Sequence, residues 1–336
     1  MENFIKHVDI HNFKSIDNLE LEDCRRINLF IGYPNVGKSN ILEALSLFSL
    51  PCLNEGESIS RFIRVENINE LFFDNREKSC YVTIDGITTA EINTNSFAIR
   101  HEGIGVEKHF FLSPKLNLKR RIPNVDEIEE ALSLIHTYVK KYTFCVHPYW
   151  LFNNENSLSQ PHGENIVSVL SYNPNLSEVL KWIKNEFHKY KLEFVLDLSS
   201  NSLKVQQRLE GDKIKQLPYS SIADTLQRVI FYKTAIASNK NSVLLFEEPE
   251  THAFPPYIGS ITQDIADAKS NQFFIVTHSP LVVNAFLEYE KLRNETSIYL
   301  LDFKGNQTTA KRLSDEEMEL VYEYADDLFF NLENLL

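Results

Sequence analysis

The sequence predicts an α/β fold with a mixed sheet and a helical insertion, and three short apolar runs support that prediction. Residues 27–31 (INLFI) end at Gly32, and a helical spacing of apolar residues follows over 40–48. Residues 243–246 (VLLF) and 273–276 (FFIV) are similar runs with a helical segment between them. Apolar runs of about four to eight residues are typical of strands buried on both faces of a sheet.

The remaining elements are predicted from the same patterns. Residues 5–13 and 19–21 are strand-like, and within 60–112 the segments FIRV, ELFF, CYVTID and FAIR alternate with turn residues, as in a mixed or antiparallel sheet. Residues 125–141 and 176–191 have a helical period. Prolines and a glycine interrupt that region, which excludes a long coiled-coil arm.

We therefore expect three segments. An N-terminal lobe spans residues 1–112, a helical insertion spans 113–212, and a C-terminal lobe spans 213–336.

Composition limits the classes of function. The 336 residues are 43% hydrophobic and 12% aromatic, which is enough for a sizeable core. The net charge of −13 excludes nucleic-acid binding through the overall field, so any such binding needs a local basic patch. The densest basic cluster comprises Lys115, Lys119, Arg120 and Arg121. Such a cluster is more often a solvated loop than a contact surface, and both interpretations stay open.

The sequence also predicts a location. No apolar run reaches the roughly 18–20 residues that a membrane helix needs, and the N-terminus has no secretion-signal pattern. Four cysteines lie far apart without a CxxC pair, which favours reduced thiols. We expect a cytoplasmic protein that does not bind membranes.

The first chemical motif is GYPNVGKS, which begins at Gly32 and fits the phosphate-binding pattern GxxxxGK[ST] between a strand and a helix. In such a loop, backbone N–H groups surround the β-phosphate and the helix N-terminus adds positive charge. Lys38 is predicted to reach the β- and γ-phosphates, and the Ser39 hydroxyl to bind Mg²⁺. The predicted nucleotide-binding residues are Gly32, Asn35, Val36, Gly37, Lys38, Ser39 and Asn40.

The second motif is a pair of acids at the end of the strand 243–246. Glu247 is predicted to hold Mg²⁺ directly or through water, and Glu248 to orient and deprotonate an attacking water. Two acids after a strand are a weak signal alone, but Thr-His-Ser-Pro ends the next apolar run about thirty residues later. His278 there can hydrogen-bond the γ-phosphate and the water, although a single histidine in that position is more often structural.

Four segments together resemble a known group of proteins. FKSI (13–16), GKSNILEAL (37–45), LLFEEPETH (244–252) and VTHSP (276–280) resemble the ABC-type P-loop ATPases of the SMC, RecF and OLD (overcoming-lysogenisation-defect) branch. The EEPExH form is most similar to OLD-like ATPases, and Gly163-x-Asn165 resembles a short element of that branch. The resemblance covers about residues 1–90 and 160–336.

The resemblance implies a head-to-tail homodimer that holds two ATP molecules between its subunits. Ser220 and Ser221 are the candidates for the signature segment that faces the partner's phosphates. The usual glycine is missing, because Ala223 or Asp224 stands there. Residues 40–150 contain no glutamine that could sense Mg²⁺. His252 is expected to shape the loop after the acids at the dimer seam.

The resemblance also implies a function. We expect an ATPase that uses ATP and Mg²⁺ as a switch and controls a separately encoded effector in a phage-defence or toxin–antitoxin-like system. In OLD nucleases a TOPRIM-type nuclease domain would begin near residues 326–331, so effector activity is expected from another chain. Two alternatives stay open: a RecF-like DNA-repair clamp, and a scaffold that binds ATP with little turnover. The acids and His278 count against the scaffold, whereas the missing glycine keeps it open.

Overall fold

The computed structural model describes residues 4–75, 78–120, 139–146, 150–211 and 213–323, together with 329 and 332. The chain divides into two compact units. The first comprises residues 1–141, 241–248 and 270–336, and the second comprises 142–240 and 249–269. These units do not follow the three predicted segments, because the chain returns to the first unit twice. Strands and helices are numbered below in chain order.

The first unit contains an antiparallel sheet. Its strands within the described residues are β1 (Val8–Phe13), β2 (Ile16–Leu21), β4 (Ser79–Ile84), β5 (Thr88–Asn93), β6 (Ser96–His101), β7 (Val106–Leu112) and β8 (Leu118–Arg120). The order across the sheet is β2-β1-β4-β5-β6-β7-β8. Buried and exposed residues alternate along β4, which is typical of a strand with one face against a core.

The first unit also contains a mixed sheet. Its described strands are β3 (Ile27–Gly32), β9 (Val139–Tyr142), β13 (Val243–Glu247), β14 (Gln272–Val276), β15 (Thr296–Lys304) and β16 (Gln307–Arg312). The order is β16-β15-β3-β14-β13-β9. β14 runs parallel to both β3 and β13, so Phe30, Val276 and Glu247 are neighbours in register. The carboxyl ends of the three predicted central strands therefore meet at one edge.

Helix α1 (Lys38–Leu45) lies between the two sheets, since it contacts β1 of one and β3, β13 and β14 of the other. Ile41, Leu42 and Leu45 are fully buried there. The other described helices of this unit are α6 (Pro280–Leu287), α7 (Glu290–Arg293) and α8 (Asp315–Glu323). The core around α1 fixes the start of this helix against the ends of the central strands.

The second unit combines helices with a small antiparallel sheet. Its described elements are α2 (Ile166–Tyr172), α3 (Ser177–His188), α4 (Asp224–Ser238), α5 (Pro255–Asp267), β10 (Glu193–Asp197), β11 (Ser202–Arg208) and β12 (Ile214–Pro218). Helix α4 packs against α2, α3 and α5. Lys233 on α4 pairs with Asp264 at 2.6 Å and lies 4.8 Å from the centre of the Trp182 ring.

Two predicted strands were wrong. Residues 62–65 follow a 3₁₀ turn at Ile59–Arg61, and a second 3₁₀ turn at Ile68–Leu71 overlaps residues 70–73. Their apolar side chains are buried without belonging to a strand. The side chains of Ser58 and Asn67 cap those turns. Most of the predicted helix 125–141 lies outside the described residues, and its end belongs to β9. The described part of the predicted helical insertion contains strands as well as helices.

Among the described residues, no helix combines the length and the apolar character needed to cross a membrane.

Candidate nucleotide-binding site

The phosphate-binding loop follows β3 and ends at the first turn of α1. Gly37 has a φ of +95°, and a Cβ there would lie 2.1 Å from Thr308 Oγ1 and 2.7 Å from Ser15 Oγ. The hydroxyls of Ser15 and Thr308 are themselves hydrogen-bonded at 2.6 Å, and Asn40 donates to Ser15 Oγ at 2.7 Å. The backbone angle and the lack of space both require glycine at this position.

The predicted phosphate ligand Lys38 lies inside the loop. Its Nζ donates to the carbonyl oxygens of Gly32 at 2.9 Å and Tyr33 at 2.6 Å. Burial lowers the pKa of Lys38, and the negative charge of Glu248 partly opposes that shift. The ammonium group is therefore held at the loop by the loop's own carbonyls.

The two predicted metal ligands contact each other. Ser39, in the first turn of α1, donates its hydroxyl to Glu247 Oε1 at 2.5 Å, and Glu247 is the last residue of β13. A hydroxyl and a carboxylate are hard oxygen ligands, which suit Mg²⁺ when phosphate oxygens and water complete its octahedron. The donor set therefore fits the cation that the resemblance to P-loop ATPases implies.

Glu248 and His278 form the second contact at this edge. Glu248 N donates to Val276 O at 2.9 Å, and its carboxylate lies 3.4 Å from His278 Nε2. Burial and the positive charge of Lys38 lower the pKa of His278, with Glu248 opposing them. A histidine with a lowered pKa is neutral at pH 7, so one ring nitrogen can accept a hydrogen bond.

The sequence analysis missed Arg64 and Glu43. Arg64 Nη2 lies 3.2 Å from Glu247 Oε1, and its Nε lies 2.7 Å from Glu43 Oε1. Burial raises the pKa of Glu43, but the charges of Lys141 and Lys14, together with the hydrogen bonds from Lys14 and Arg64, lower the pKa overall. The sequence did carry one signal for this cluster, since Glu43 lies at an apolar, core-facing part of α1, between Leu42 and Leu45. A buried carboxylate needs cationic partners.

The predicted signature serines belong to the second unit. Ser220 and Ser221 are exposed in a short 3₁₀ turn, Tyr219–Ser221, just before α4. Ala223, at the N-cap of α4, has a φ of −54°, so the backbone there does not require glycine. Whether these serines face a partner's nucleotide stays a prediction.

His252 and the Gly163-x-Asn165 element have backbone contacts in the second unit. Thr225 donates its hydroxyl to the carbonyl oxygen of His252 at 2.5 Å, which ties the loop after the acids to the start of α4. The buried side chain of Asn165 accepts from Ser159 N at 2.7 Å and donates to Ser157 O at 3.0 Å. These contacts indicate structural roles for both elements.

Two charged clusters lie on the surface of the first unit. Lys115 and Lys119 line a cavity of about 470 Å³ together with Glu55, while Arg121 of the predicted basic cluster lies outside the described residues. The other cluster, which sequence reasoning missed, is His7, Asp9 and Glu20, whose ligand atoms lie within 4.8 Å of one another. Asp9 and Glu20 face each other in the β1–β2 register.

Comparison of the chain with known proteins finds relatives at low sequence identity. The chain is 22% identical over 231 residues to the DNA replication and repair protein RecF of Caldanaerobacter subterraneus, covering 60% of this chain and 61% of that protein. It is 20% identical to an ATP/GTP phosphatase of Helicobacter pylori, covering 97% of this chain and 100% of that protein. The chain thus spans less than two thirds of the RecF relative.

A solved structure shows the same fold. The Smc head domain of Pyrococcus furiosus, bound to the C-terminal domain of ScpA, superposes with a TM-score of 0.54 at 12% identity, covering 96% of this chain and 99% of that chain. The fold is therefore that of an ABC-type P-loop ATPase domain. The profile of a protein family matches residues 114–284, just over half of the 336 residues. The chain belongs to that family, which is described as AAA domain, putative AbiEii toxin, Type IV TA system.

Proposed function

We propose that the protein binds Mg·ATP, hydrolyses it to ADP and phosphate, and uses this cycle as a dimerising switch for a separately encoded effector. One observation carries the proposal. A phosphate-loop lysine, a hydroxyl–carboxylate pair and a carboxylate–histidine pair meet at one edge of a single sheet. These are the groups that positioning and electrostatic catalysis of phosphoryl transfer require.

Each group has a distinct role in this proposal. Lys38 stabilises negative charge on the β- and γ-phosphates, and Ser39 and Glu247 hold the cation. When bound, Mg²⁺ neutralises charge on the phosphate oxygens. Glu248 accepts the proton of the attacking water, and neutral His278, 3.4 Å from that carboxylate, orients the water by a hydrogen bond.

The proposed dimer uses the exposed serines. Ser220 and Ser221 precede α4, a 15-residue helix whose N-terminus attracts anions. In a head-to-tail dimer, these hydroxyls would bind the γ-phosphate of the nucleotide on the partner. Their exposure supports this role, since side chains packed into the second unit could not reach a second copy.

The assignment to an OLD-like switch rests on the EEPETH sequence and on the family. The description of the family includes a putative toxin and a Type IV TA system. This supports a role in a defence or toxin–antitoxin-like system, whereas the separately encoded effector is proposed from the OLD-like resemblance alone. A RecF-like DNA clamp is the second candidate, favoured by the RecF relative. ATP-dependent binding of duplex DNA at about 150 mM salt would favour the clamp, because nonspecific contacts weaken steeply with salt.

The test of the proposed function separates binding from turnover. Glu248→Gln should bind ATP like the wild type but lose at least about 100-fold in phosphate release, because an amide cannot accept the proton. It should accumulate an ATP-dependent dimer in light scattering, whereas Lys38→Ala, as the binding control, should show neither nucleotide binding nor dimer. Wild-type protein that binds no ATP in calorimetry would overturn the proposal.

A further inference from the structure

The carboxylate that is assigned to the metal already has a cationic neighbour. Glu247 Oε1 accepts the Ser39 hydroxyl at 2.5 Å and lies 3.2 Å from Arg64 Nη2. The guanidinium therefore contacts an oxygen of the carboxylate that the proposed function gives to Mg²⁺. A guanidinium and a divalent cation repel each other and compete for that carboxylate.

A second acid anchors Arg64 independently of Glu247. Arg64 Nε donates to Glu43 Oε1 at 2.7 Å, and the Glu43 side chain is fully buried. Lys14 Nζ donates to the other Glu43 oxygen and to the Arg64 carbonyl, the latter at 2.7 Å. The Arg64 side chain is 65% exposed, so its Nη2 can leave Glu247 without loss of packing while Nε stays on Glu43.

We propose that Arg64 is a positioning residue that acts as a resident counter-cation for Glu247, so that the site rejects free divalent metal and accepts it only together with ATP. This inference rests on the proposed function of the same site. ATP reverses the electrostatics, because its phosphates attract the guanidinium away from the carboxylate and bring the metal with them. The charges of the site therefore set the order of binding: the metal enters together with the nucleotide and not before it.

The test measures binding and not turnover. Free Mn²⁺ is titrated without nucleotide into wild type and Arg64→Gln, and electron paramagnetic resonance measures the bound metal. ATP is titrated in a separate experiment in EDTA. We expect Arg64→Gln to bind free Mn²⁺ at least about tenfold more tightly and metal-free ATP more weakly than wild type, as removal of one positive charge requires. Arg64→Lys, which keeps the charge, should lie between the two.

A matched control is available in the antiparallel sheet. Arg100 also bridges two acids, Glu107 and, at 2.8 Å, Glu91. Arg100→Gln should change neither affinity. In the double variant Arg64→Gln/Glu247→Gln the gain in Mn²⁺ affinity should disappear, which places the metal on Glu247.

The outcomes distinguish this inference from the proposed function. If Arg64→Gln binds free Mn²⁺ like wild type while wild type binds Mn·ATP, the counter-cation role is wrong and the proposed function stands. If wild type binds no ATP with or without metal, both fail. Persistence of the Mn²⁺ gain in the double variant would also overturn the inference, since the metal would then bind elsewhere.

Discussion

Glu247 and Glu248 are adjacent residues with different contacts, and the backbone accounts for the difference. Glu247 still belongs to β13 and contacts Ser39. Glu248 has a φ of +45°, a left-handed conformation that costs a residue with a side chain of the order of 1 kcal/mol or more. This turn ends the strand and leaves its carboxylate near His278 instead. Such local strain is typical of functional positions.

The protonation of His278 gives a prediction at the same scale. Burial and Lys38 place the pKa of His278 below its ordinary 6.5. Titration followed by NMR of the ring Cε1–H signal, assigned through His278→Asn, should therefore give a midpoint below that of an exposed histidine. In Lys38→Met the midpoint should rise, because one of the two causes of the shift has been removed.

The sign of the shift also fixes its effect on stability. A histidine whose folded pKa is lowered binds its proton more readily in the unfolded chain. Its contribution to the free energy of unfolding is therefore present above the unfolded pKa and is lost as the pH falls through the folded pKa.

The control for the Lys38→Met titration is Lys108→Met, which removes a lysine from β7 of the other sheet and should leave the midpoint of His278 unchanged. An unchanged midpoint in Lys38→Met would show that Lys38 does not act on His278.

At the scale of elements, the central strands and α1 were predictable because their signals are local. Each is an apolar run or a helical period that a short window contains. The contact of Thr308 with Gly37 was not predictable, because β15 pairs with β3 and so brings the β15–β16 hairpin to a loop far away in the chain. The Arg64–Glu247 contact, 183 positions apart, was missed for the same reason. Residues 62–65 were predicted to form a strand because a buried apolar segment beside a turn has the same local composition as a strand.

The turn before α4 gives a prediction for an element that a dimer would share. Lys38→Ala subunits and Ser220→Ala/Ser221→Ala subunits should each be inactive alone. Mixed, they should recover part of the ATPase activity, because a head-to-tail heterodimer contains one site in which the phosphate loop and the facing serines are both intact. Steady-state phosphate release across mixing ratios measures this. Normal hydrolysis by the serine double variant alone would contradict a site built from two subunits.

At the scale of the whole molecule, the net charge is −13. Some of the acids are nevertheless neutralised locally, because acids on α8 lie close to bases. Asp315 lies 2.8 Å from Arg25, Glu317 lies 2.9 Å from Lys311, and Glu319 lies 3.2 Å from Arg293. Exposed pairs of this kind contribute little stability each. They do show that each of these three carboxylates has its own basic partner along the helix.

The final prediction is that the purified chain hydrolyses ATP and cuts neither DNA nor RNA. Hydrolysis of a phosphodiester needs metal-holding carboxylates in a site that admits a polymer. Glu247 and Glu248 are assigned to Mg·ATP. Within the described residues, the one group of three or more metal-binding side chains that lie close enough together is His7, Asp9 and Glu20 on the β1–β2 ladder.

The experiment incubates the protein with labelled duplex DNA, single-stranded DNA and tRNA, in Mg²⁺ or Mn²⁺, with and without ATP. The matched variants are Glu248→Gln, which removes the proposed base, and Asp9→Asn, which removes one charge from the half-buried cluster of His7, Asp9 and Glu20. We expect no cleavage in any arm. Cleavage that survives Glu248→Gln but is lost in Asp9→Asn would place a nuclease site on the β1–β2 ladder and overturn the assignment of effector activity to another chain. Cleavage lost only in Glu248→Gln would overturn it as well, because the ATP site itself would then act on the polymer.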